Sequence, residues 1–355
     1  METIGPARVR RYDIDWLRIA AVLLLIPYHT ARVFNWEEDF YIKNSPTDVP
    51  AQRVIDFVGP WHMSLLFLLA GAATWFAFRH RSGRQYAGER VKRLLIPFVF
   101  GVVVIVPPQG WLAYNTHHGT DLPYWQYLPK FFTTTGDYEG GFTMGHMWFV
   151  LYLLVFALAA LPLLLWLHDR DSGRRVVAWF GRVWQNPAVL ILLPVVVLVL
   201  PWLVMEDDQS GQPPFAFIFV FLLGFLLVAD DRIYRTIARH WLWILCLGVV
   251  ASVAYIWAEP RVGGWPEAGV RYVGIKFLYE VGVWGMILGL LGLAHRFMTA
   301  GGPVRAYATE AAYPFYILHQ TVLVAVAYFV VQWDWAAGLK YAAIASASFA
   351  LSLLI

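Results

Sequence analysis

Arg18 and His29 are two side chains capable of chemistry inside the first apolar segment of the chain, and they are eleven residues apart. In an α-helix this spacing comes to within about 20° of three full turns and spans about 16 Å along the axis. Both side chains therefore lie on one face of the predicted helix, at two depths. A charged group at mid-bilayer costs about 3 kcal/mol or more, so we expect both to face a protein interior or a water-filled cavity. An imidazole in such a place is a candidate acid–base group, and a guanidinium is a candidate anion ligand.

Each member of this pair also has a structural alternative. His29 could be a hydrogen-bonded packing residue. Arg18 could pair with Asp15 one turn earlier, an i,i+3 contact that would only anchor the span. Pro27, two residues before His29, removes a backbone hydrogen bond, so we expect a kink that opens space beside the imidazole.

The composition indicates a multi-pass membrane protein. Hydrophobic residues make up 59% of the 355 positions and charged residues 14%, against about 25% charged residues in soluble proteins. We therefore predict an all-α, polytopic helical bundle that forms one domain, 1–355, with about ten transmembrane helices. The predicted spans are 15–34, 57–78, 94–112, 147–167, 187–205, 214–229, 241–258, 272–294, 311–332 and 337–355. The last one ends at Ile355 without a polar tail, so a continuation of the chain beyond it stays open.

The distribution of basic residues predicts the orientation. Segments between the predicted spans alternate between Arg/Lys-rich and Arg/Lys-poor, and the rich set includes the N-terminal segment. The positive-inside rule then puts the N-terminus in the cytoplasm. No small-residue cleavage site follows the first apolar run, so we expect that span to be retained.

Further polar residues within or beside the predicted spans are candidate pore-lining groups. They are Asp15, His62, His146, Glu280 and His319. An ionisable residue in a membrane span is a candidate for function. Each histidine could instead be a structural hydrogen-bonding group in a close helix contact.

Other kinds of site are excluded by what the sequence lacks. Cys246 is the single cysteine, which excludes an intramolecular disulfide and a CxxC metal site. No HExxH spacing, GxGxxG or P-loop is present, so we predict no metal. The basic residues follow the membrane topology, so no nucleic-acid partner is expected.

Four segments together resemble the membrane acyltransferase 3 family, most closely its glucan-biosynthesis C branch of periplasmic glucan succinyltransferases. They are Arg18 to His29 in a DxxR context, WHMSLLFLLAG at 61–71, RVKRLLIP at 90–97, and the pair GHMWFVLYL and YPFYILHQ around His146 and His319. The order and spacing of these segments cover nearly the whole chain.

The resemblance implies an O-acyltransferase of the bacterial inner membrane. It would move an acetyl, succinyl or similar group from cytoplasmic acyl-CoA, as donor substrate, to a hydroxyl of a glycan or other extracytoplasmic acceptor, with no tightly bound cofactor. His29 would be the general base, because an imidazole titrates near neutral pH. Arg18 would contact the acyl-CoA. No orienting partner for His29 is identifiable, although Glu280 is a candidate.

The resemblance also gives Arg90 and Arg93 a role. Guanidinium groups bind phosphate bidentately, so arginines at a cytoplasmic pore mouth would suit the phosphates of coenzyme A. Arg90 and Arg93 share a face if the segment is α-helical, although basic residues there also act as topology signals. The alternative functions are a transporter or channel that uses intramembrane Arg and His, and a catalytically silent acyl-CoA sensor. The oligomeric state stays open.

Overall fold

The computed structural model describes residues 11–37, 39–136, 138–203, 214–261 and 269–355. Within these ranges the chain forms helices and no strand, which confirms the all-α prediction. The helices are α1 (Tyr12–Leu23), α2 (Leu25–Phe34), α3 (Val49–Ala77), α4 (Gly83–Arg90), α5 (Ile96–Phe100), α6 (Pro107–His118), α7 (Tyr124–Thr133), α8 (Trp148–Ala159), α9 (Leu161–Asp169), α10 (Asp171–Val183), α11 (Pro187–Val199), α12 (Pro214–Ala229), α13 (Asp231–Ala258), α14 (Val270–Phe297), α15 (Pro303–Val330) and α16 (Ala337–Leu354).

Seven helical stretches in the described part of the chain are long and apolar enough to cross a membrane. They are Tyr12–Phe34, Val49–Ala77, Gly83–His118, Asp231–Arg261, Val270–Phe297, Pro303–Val330 and Ala337–Leu354. The number rises to nine if two bent pairs, α8 with α9 and α10 with α11, each count as one span. The remaining predicted span corresponds to α12, an apolar helix of 16 residues.

The prediction of a multi-pass helical protein is therefore confirmed, at seven to nine candidate spans. The count of ten and the side of the N-terminus remain predictions. Residues 1–10, which carry part of the basic N-terminal segment, lie outside the described residues.

Helices α3 and α12 touch backbone to backbone through two glycines. A Cβ on Gly71 would lie 1.8 Å from the carbonyl oxygen of Phe221, and one on Gly224 would lie 2.0 Å from that of Leu68. No side chain larger than hydrogen fits at either contact, which is a common way for membrane helices to approach closely. The short α12 thus holds α3, the helix that carries His62.

Prolines precede two of the candidate histidines at the same spacing. The first helix is interrupted at Leu24, between α1 and α2, because Pro27 lacks the N–H that would bond the carbonyl four residues earlier. The missing hydrogen bond expected from Pro27 thus coincides with a one-residue interruption, while Tyr12–Phe34 still forms one continuous span. Pro60 lies inside α3, two residues before His62.

Candidate active site

Histidine rings from both ends of the chain meet inside the bundle. The ring centroids of His29 and His319 are 5.1 Å apart, and those of His319 and His146 are 5.2 Å apart. His62 joins through Tyr28, whose ring centroid is 6.0 Å from that of His62 and 5.3 Å from that of His29. The structure thus brings together the four histidines selected from the sequence, and we call them the histidine cluster.

Each imidazole of the cluster bonds to a main-chain carbonyl through one ring nitrogen. The pairs are His29 Nδ1 with Leu25 (3.0 Å), His62 Nε2 with Ala21 (2.6 Å), His146 Nε2 with Ile317 (2.8 Å) and His319 Nδ1 with Tyr316 (2.6 Å). A carbonyl oxygen only accepts, so the bonded nitrogen carries the hydrogen, and in a neutral ring the other nitrogen carries a lone pair. On His29 that lone pair is on Nε2.

The cluster lines a cavity of about 1130 Å³. His62, His146 and His319 are at most 5% exposed, whereas His29 is partly exposed. Nδ1 of His146 and Nε2 of His319 are buried and have no hydrogen-bond partner among the described residues. Leaving such an atom unpaired costs about 1–3 kcal/mol, so it calls for an explanation, such as a proton or a ligand group. In the same described part, no three His, Cys, Asp or Glu side chains are grouped to hold a metal ion.

A second wall of the cavity is polar and is organised by Gln52. Its amide nitrogen donates to Glu37 Oε2 (2.7 Å) and to Asp56 Oδ1 (2.8 Å), and its oxygen accepts from the backbone N–H groups of Trp36 and Glu37. Arg53 Nη1 bonds the other oxygen of Asp56 at 2.8 Å. Sequence analysis missed this polar wall (Glu37, Gln52, Arg53, Asp56), because a single amide at the start of an apolar span carries no recognisable motif.

Arg18 lies at the opposite end of the same helical stretch, in an ion-pair network. Its Nη2 bonds Asp15 Oδ1 at 3.1 Å, and the other oxygen of Asp15 accepts from Arg305 Nη1 at 2.7 Å. The side chain of Arg305 is 7% exposed, and its guanidinium lies 4.5 Å over the ring of Tyr12. The local Asp15–Arg18 pair, the structural alternative from the sequence, is therefore present. Neither of its members lines the cavity of the histidine cluster.

A neighbouring carboxylate, Asp13, gathers three more side chains. It is 3% exposed and accepts from Arg11 Nε (3.0 Å) and Nη2 (2.8 Å), from the Tyr234 hydroxyl (2.8 Å) and from His295 Nδ1 (3.1 Å). The contacts of Asp13 and Asp15 tie α1 to α13, α14 and α15. Sequence analysis did not single out Asp13, although two acidic residues at the start of an apolar span are a visible signal.

The segment between Arg90 and Arg93 is not the regular α-helix on which the prediction of a shared face depends. A π-helical turn, Val91–Leu95, begins directly after Arg90, and its wider turn changes the alignment that a spacing of three has in an α-helix. The Arg90 guanidinium lies 4.8 Å over the ring of Tyr86. Arg93 is exposed, and its main-chain carbonyl accepts from the Tyr313 hydroxyl at 3.1 Å. Neither arginine lines the cavity of the histidine cluster.

Glu280 is buried in α14, away from His29. Its Oε1 accepts from Trp202 Nε1 at 2.9 Å, and Lys276 Nζ lies 3.9 Å over the same indole. Glu280 is not among the residues that line the cavity. The group that orients the imidazole of His29 is instead the carbonyl of Leu25.

Comparison with known proteins identifies a family for this chain. The family model described as an acyltransferase domain matches residues 11–355, nearly the whole chain. Neither the curated proteins nor the solved structures give a match. The match confirms the family resemblance, while assignment to the glucan-biosynthesis C branch remains a prediction. The chain therefore belongs to this acyltransferase family, and its apolar helices make it a multi-pass membrane member.

Proposed function

We propose that this protein is an O-acyltransferase in which His29 is the general base that activates a hydroxyl of the acceptor. The observation that carries the proposal is the tautomer of His29 and its place beside the cavity. Its Nδ1–H is bonded to the Leu25 carbonyl, which leaves the lone pair of Nε2 available, and the side chain lines a cavity large enough for a substrate. A base must reach the proton that it removes, and an acceptor in this cavity satisfies that need.

In the proposed reaction, the acyl donor is an acyl-CoA. His29 Nε2 takes the proton of the acceptor hydroxyl as its oxygen attacks the thioester carbonyl carbon. The new C–O bond forms, the C–S bond breaks, and the coenzyme leaves as a thiolate. The proton on His29 then passes to the thiolate, which restores the neutral imidazole and releases the ester and free coenzyme A.

The two substrates would approach the base from opposite sides. The polar wall fixes the carboxylates of Glu37 and Asp56, which can accept hydrogen bonds from acceptor hydroxyls, and Tyr138 and Trp148 add aromatic surface to the same cavity. These groups suit a carbohydrate or another polyhydroxylated acceptor. The donor would be held on the cytoplasmic side, where Arg90 and Arg93 would supply cations for the phosphates of coenzyme A.

The distribution of basic residues supports an orientation of the protein in the membrane. With the N-terminus in the cytoplasm, the Arg18 end faces cytoplasmic acyl-CoA, and the His29 end faces the acceptor on the other side of a bacterial inner membrane. The acyl group would be acetyl, succinyl or a similar short chain. No tightly bound cofactor enters the reaction.

The test is transfer of a labelled acyl group by the purified protein in proteoliposomes. Labelled acetyl-CoA and succinyl-CoA would each be offered with a panel of neutral oligosaccharides, and the esterified product would be counted. We expect transfer by the wild type and by His117→Ala, a control histidine exposed on α6, and none above background by His29→Ala. Wild-type rates in His29→Ala would refute the base assignment, and absence of transfer from any acyl-CoA would refute the donor assignment.

A further inference from the structure

The side chain of His319 is held in one orientation, and one of its ring nitrogens makes no hydrogen bond to the described residues. Its Nδ1–H donates to the carbonyl of Tyr316, and the ring of Phe315 lies nearly parallel to it, at an interplanar angle of 8° and a centroid distance of 6.4 Å. The residue is fully buried, and its Nε2 has no hydrogen-bond partner among the described residues. A fixed ring with an unused lone pair lines the same cavity as His29.

The neighbours of His319 cannot satisfy this lone pair while all the rings are neutral. The ring hydrogens of His29 and His146, which flank it at centroid distances of 5.1 and 5.2 Å, are donated to the carbonyls of Leu25 and Ile317. Each ring therefore offers the others an acceptor and no donor. A donor appears among them only when one ring takes up a second proton.

The proposed reaction supplies that donor. When His29 removes the proton of the acceptor hydroxyl, its Nε2 becomes an N–H group on a positively charged ring. We propose that Nε2 of His319 accepts one branch of a three-centre hydrogen bond from this N–H, whose other branch goes to the oxygen that gave up the proton, and so makes His319 a positioning residue for the base. The bond forms only after proton transfer begins, so it stabilises the transition state and not the resting enzyme.

This inference rests on the proposed function of His29 and adds no reactant to it. The proton leaves the acceptor hydroxyl, lies on His29 Nε2 between the acceptor oxygen and His319 Nε2, and then passes to the coenzyme A thiolate. His319 keeps its own Nδ1–H on the Tyr316 carbonyl throughout. His146, whose ring lies beside that of His319 and whose Nδ1 also has no partner among the described residues, is not assigned a step.

Two substitutions of His319 separate this role from a structural one. The amide nitrogen of His319→Asn overlaps the position of Nδ1 and keeps the bond to Tyr316, but leaves no acceptor at the Nε2 position. The amide of His319→Gln reaches the Nε2 position and supplies an acceptor oxygen there, at the expense of the bond to Tyr316. A packing role predicts that Asn is the better substitute, whereas the proposed role predicts Gln.

The expected result is a loss in kcat of about 10- to 100-fold for His319→Asn, the size of one hydrogen bond to a charged group, with KM for both substrates unchanged. His319→Gln should remain within about fivefold of the wild-type kcat, because a neutral acceptor replaces the imidazole nitrogen. Equal losses in the two variants, or a higher kcat for Asn than for Gln, would overturn the proposal.

Two further measurements keep the test decisive. His29→Ala is assayed alongside: if it is inactive while His319→Asn turns over like the wild type, only the role of His319 fails, and if His29→Ala is active, the base assignment fails first. Should neither His319 variant fold, nitrogen-15 NMR of wild-type protein with labelled histidine reads the tautomer directly. A hydrogen on Nε2 of His319 in the resting protein would overturn the proposal, and an unprotonated Nε2 with a protonated Nδ1 would support it.

Discussion

The two ends of the first membrane-crossing stretch, Tyr12–Phe34, satisfy their polar side chains in opposite ways. At the N-terminal end, Asp15 accepts from Arg18 and Arg305, and Asp13 accepts from three other side chains. At the other end, His29 bonds to a carbonyl of its own helix and keeps a lone pair beside a cavity. One end is paired by charges from distant helices, and the other is left open to a ligand.

Arg18 and His29 belong to the same sequence motif, but this difference places them in different environments. Polar groups in a membrane are expected to be paired, and a group paired with fixed protein atoms holds helices together. A group that keeps an unused lone pair at a cavity is suited to bind or react. We therefore expect substitutions at the Arg18 end to act mainly on stability and those at the His29 end to act mainly on turnover.

The largest effect is expected for His29→Ala. Removal of a general base lowers kcat by about 10²- to 10⁴-fold, while the loss of one side-chain bond to the Leu25 carbonyl costs about 1 kcal/mol of stability. Turnover and the thermal unfolding midpoint would be measured on the same detergent-solubilised preparation. A large fall in the unfolding midpoint with an unchanged kcat per folded molecule would mean that His29, like Asp15, is structural.

Asp15→Asn should show the opposite profile. It leaves Arg18 and the buried Arg305 without their shared carboxylate, which costs about 3–5 kcal/mol when a pair is fully buried. Because the Arg18 side chain is 35% exposed, we expect about 2–3 kcal/mol, seen as a lower unfolding midpoint, with kcat per folded molecule retained.

The matched control is Asp171→Asn, which breaks an exposed i,i+3 pair with Arg174. Exposed pairs contribute about 0.2–1 kcal/mol, so this variant should unfold near the wild-type midpoint. If Asp15→Asn instead lost turnover while keeping its unfolding midpoint, the Arg18 end would have a chemical role, and the contrast between the two ends would fail.

The sequence predicts the helices better than it predicts their contacts. Apolar length and the break at Pro27 follow from hydropathy and from a missing N–H, which are local properties. The Asp15–Arg18 pair is local too, and its spacing indicates it. Arg305 reaches the same carboxylate from 290 positions away, and no local pattern encodes that contact.

The residues of the candidate site are also predictable from the sequence only in part. His62, His146 and His319 are identifiable as ionisable groups in apolar spans, and Pro60 lies two residues before His62 at the spacing that sequence analysis used only for Pro27 and His29. Which ring lies beside which depends on packing, and for His62 and His146 so does the choice of bonded nitrogen, because their carbonyl partners belong to other helices. The π-helical turn after Arg90 is equally invisible in a hydropathy pattern and changes which residues share a face.

A smaller effect is expected at the polar wall, from Gln52→Leu. Leucine has a similar size but cannot bond Glu37 and Asp56, so an acceptor would meet two carboxylates that have lost the amide between them. We expect KM for the acceptor to rise about tenfold, the size of one hydrogen bond to a charged group, with kcat retained. Gln332→Leu, at an exposed position at the end of α15, is the control. An unchanged acceptor KM would mean that the acceptor does not use this wall.

The smallest effect tests whether Arg90 has a role in binding the donor. Arg90 is partly exposed over the ring of Tyr86, so one contact with a coenzyme A phosphate should contribute little in water, and Arg90→Ala should raise KM for acyl-CoA about two- to fivefold. The rise should shrink at high salt, since exposed charges are screened.

Lys92→Ala removes a neighbouring exposed cation of the same basic segment and serves as the comparison. If both variants raise KM equally, the segment acts through net charge alone. A larger effect for Arg90 that salt reduces would give this arginine a part in holding the donor, while the chemistry stays at His29.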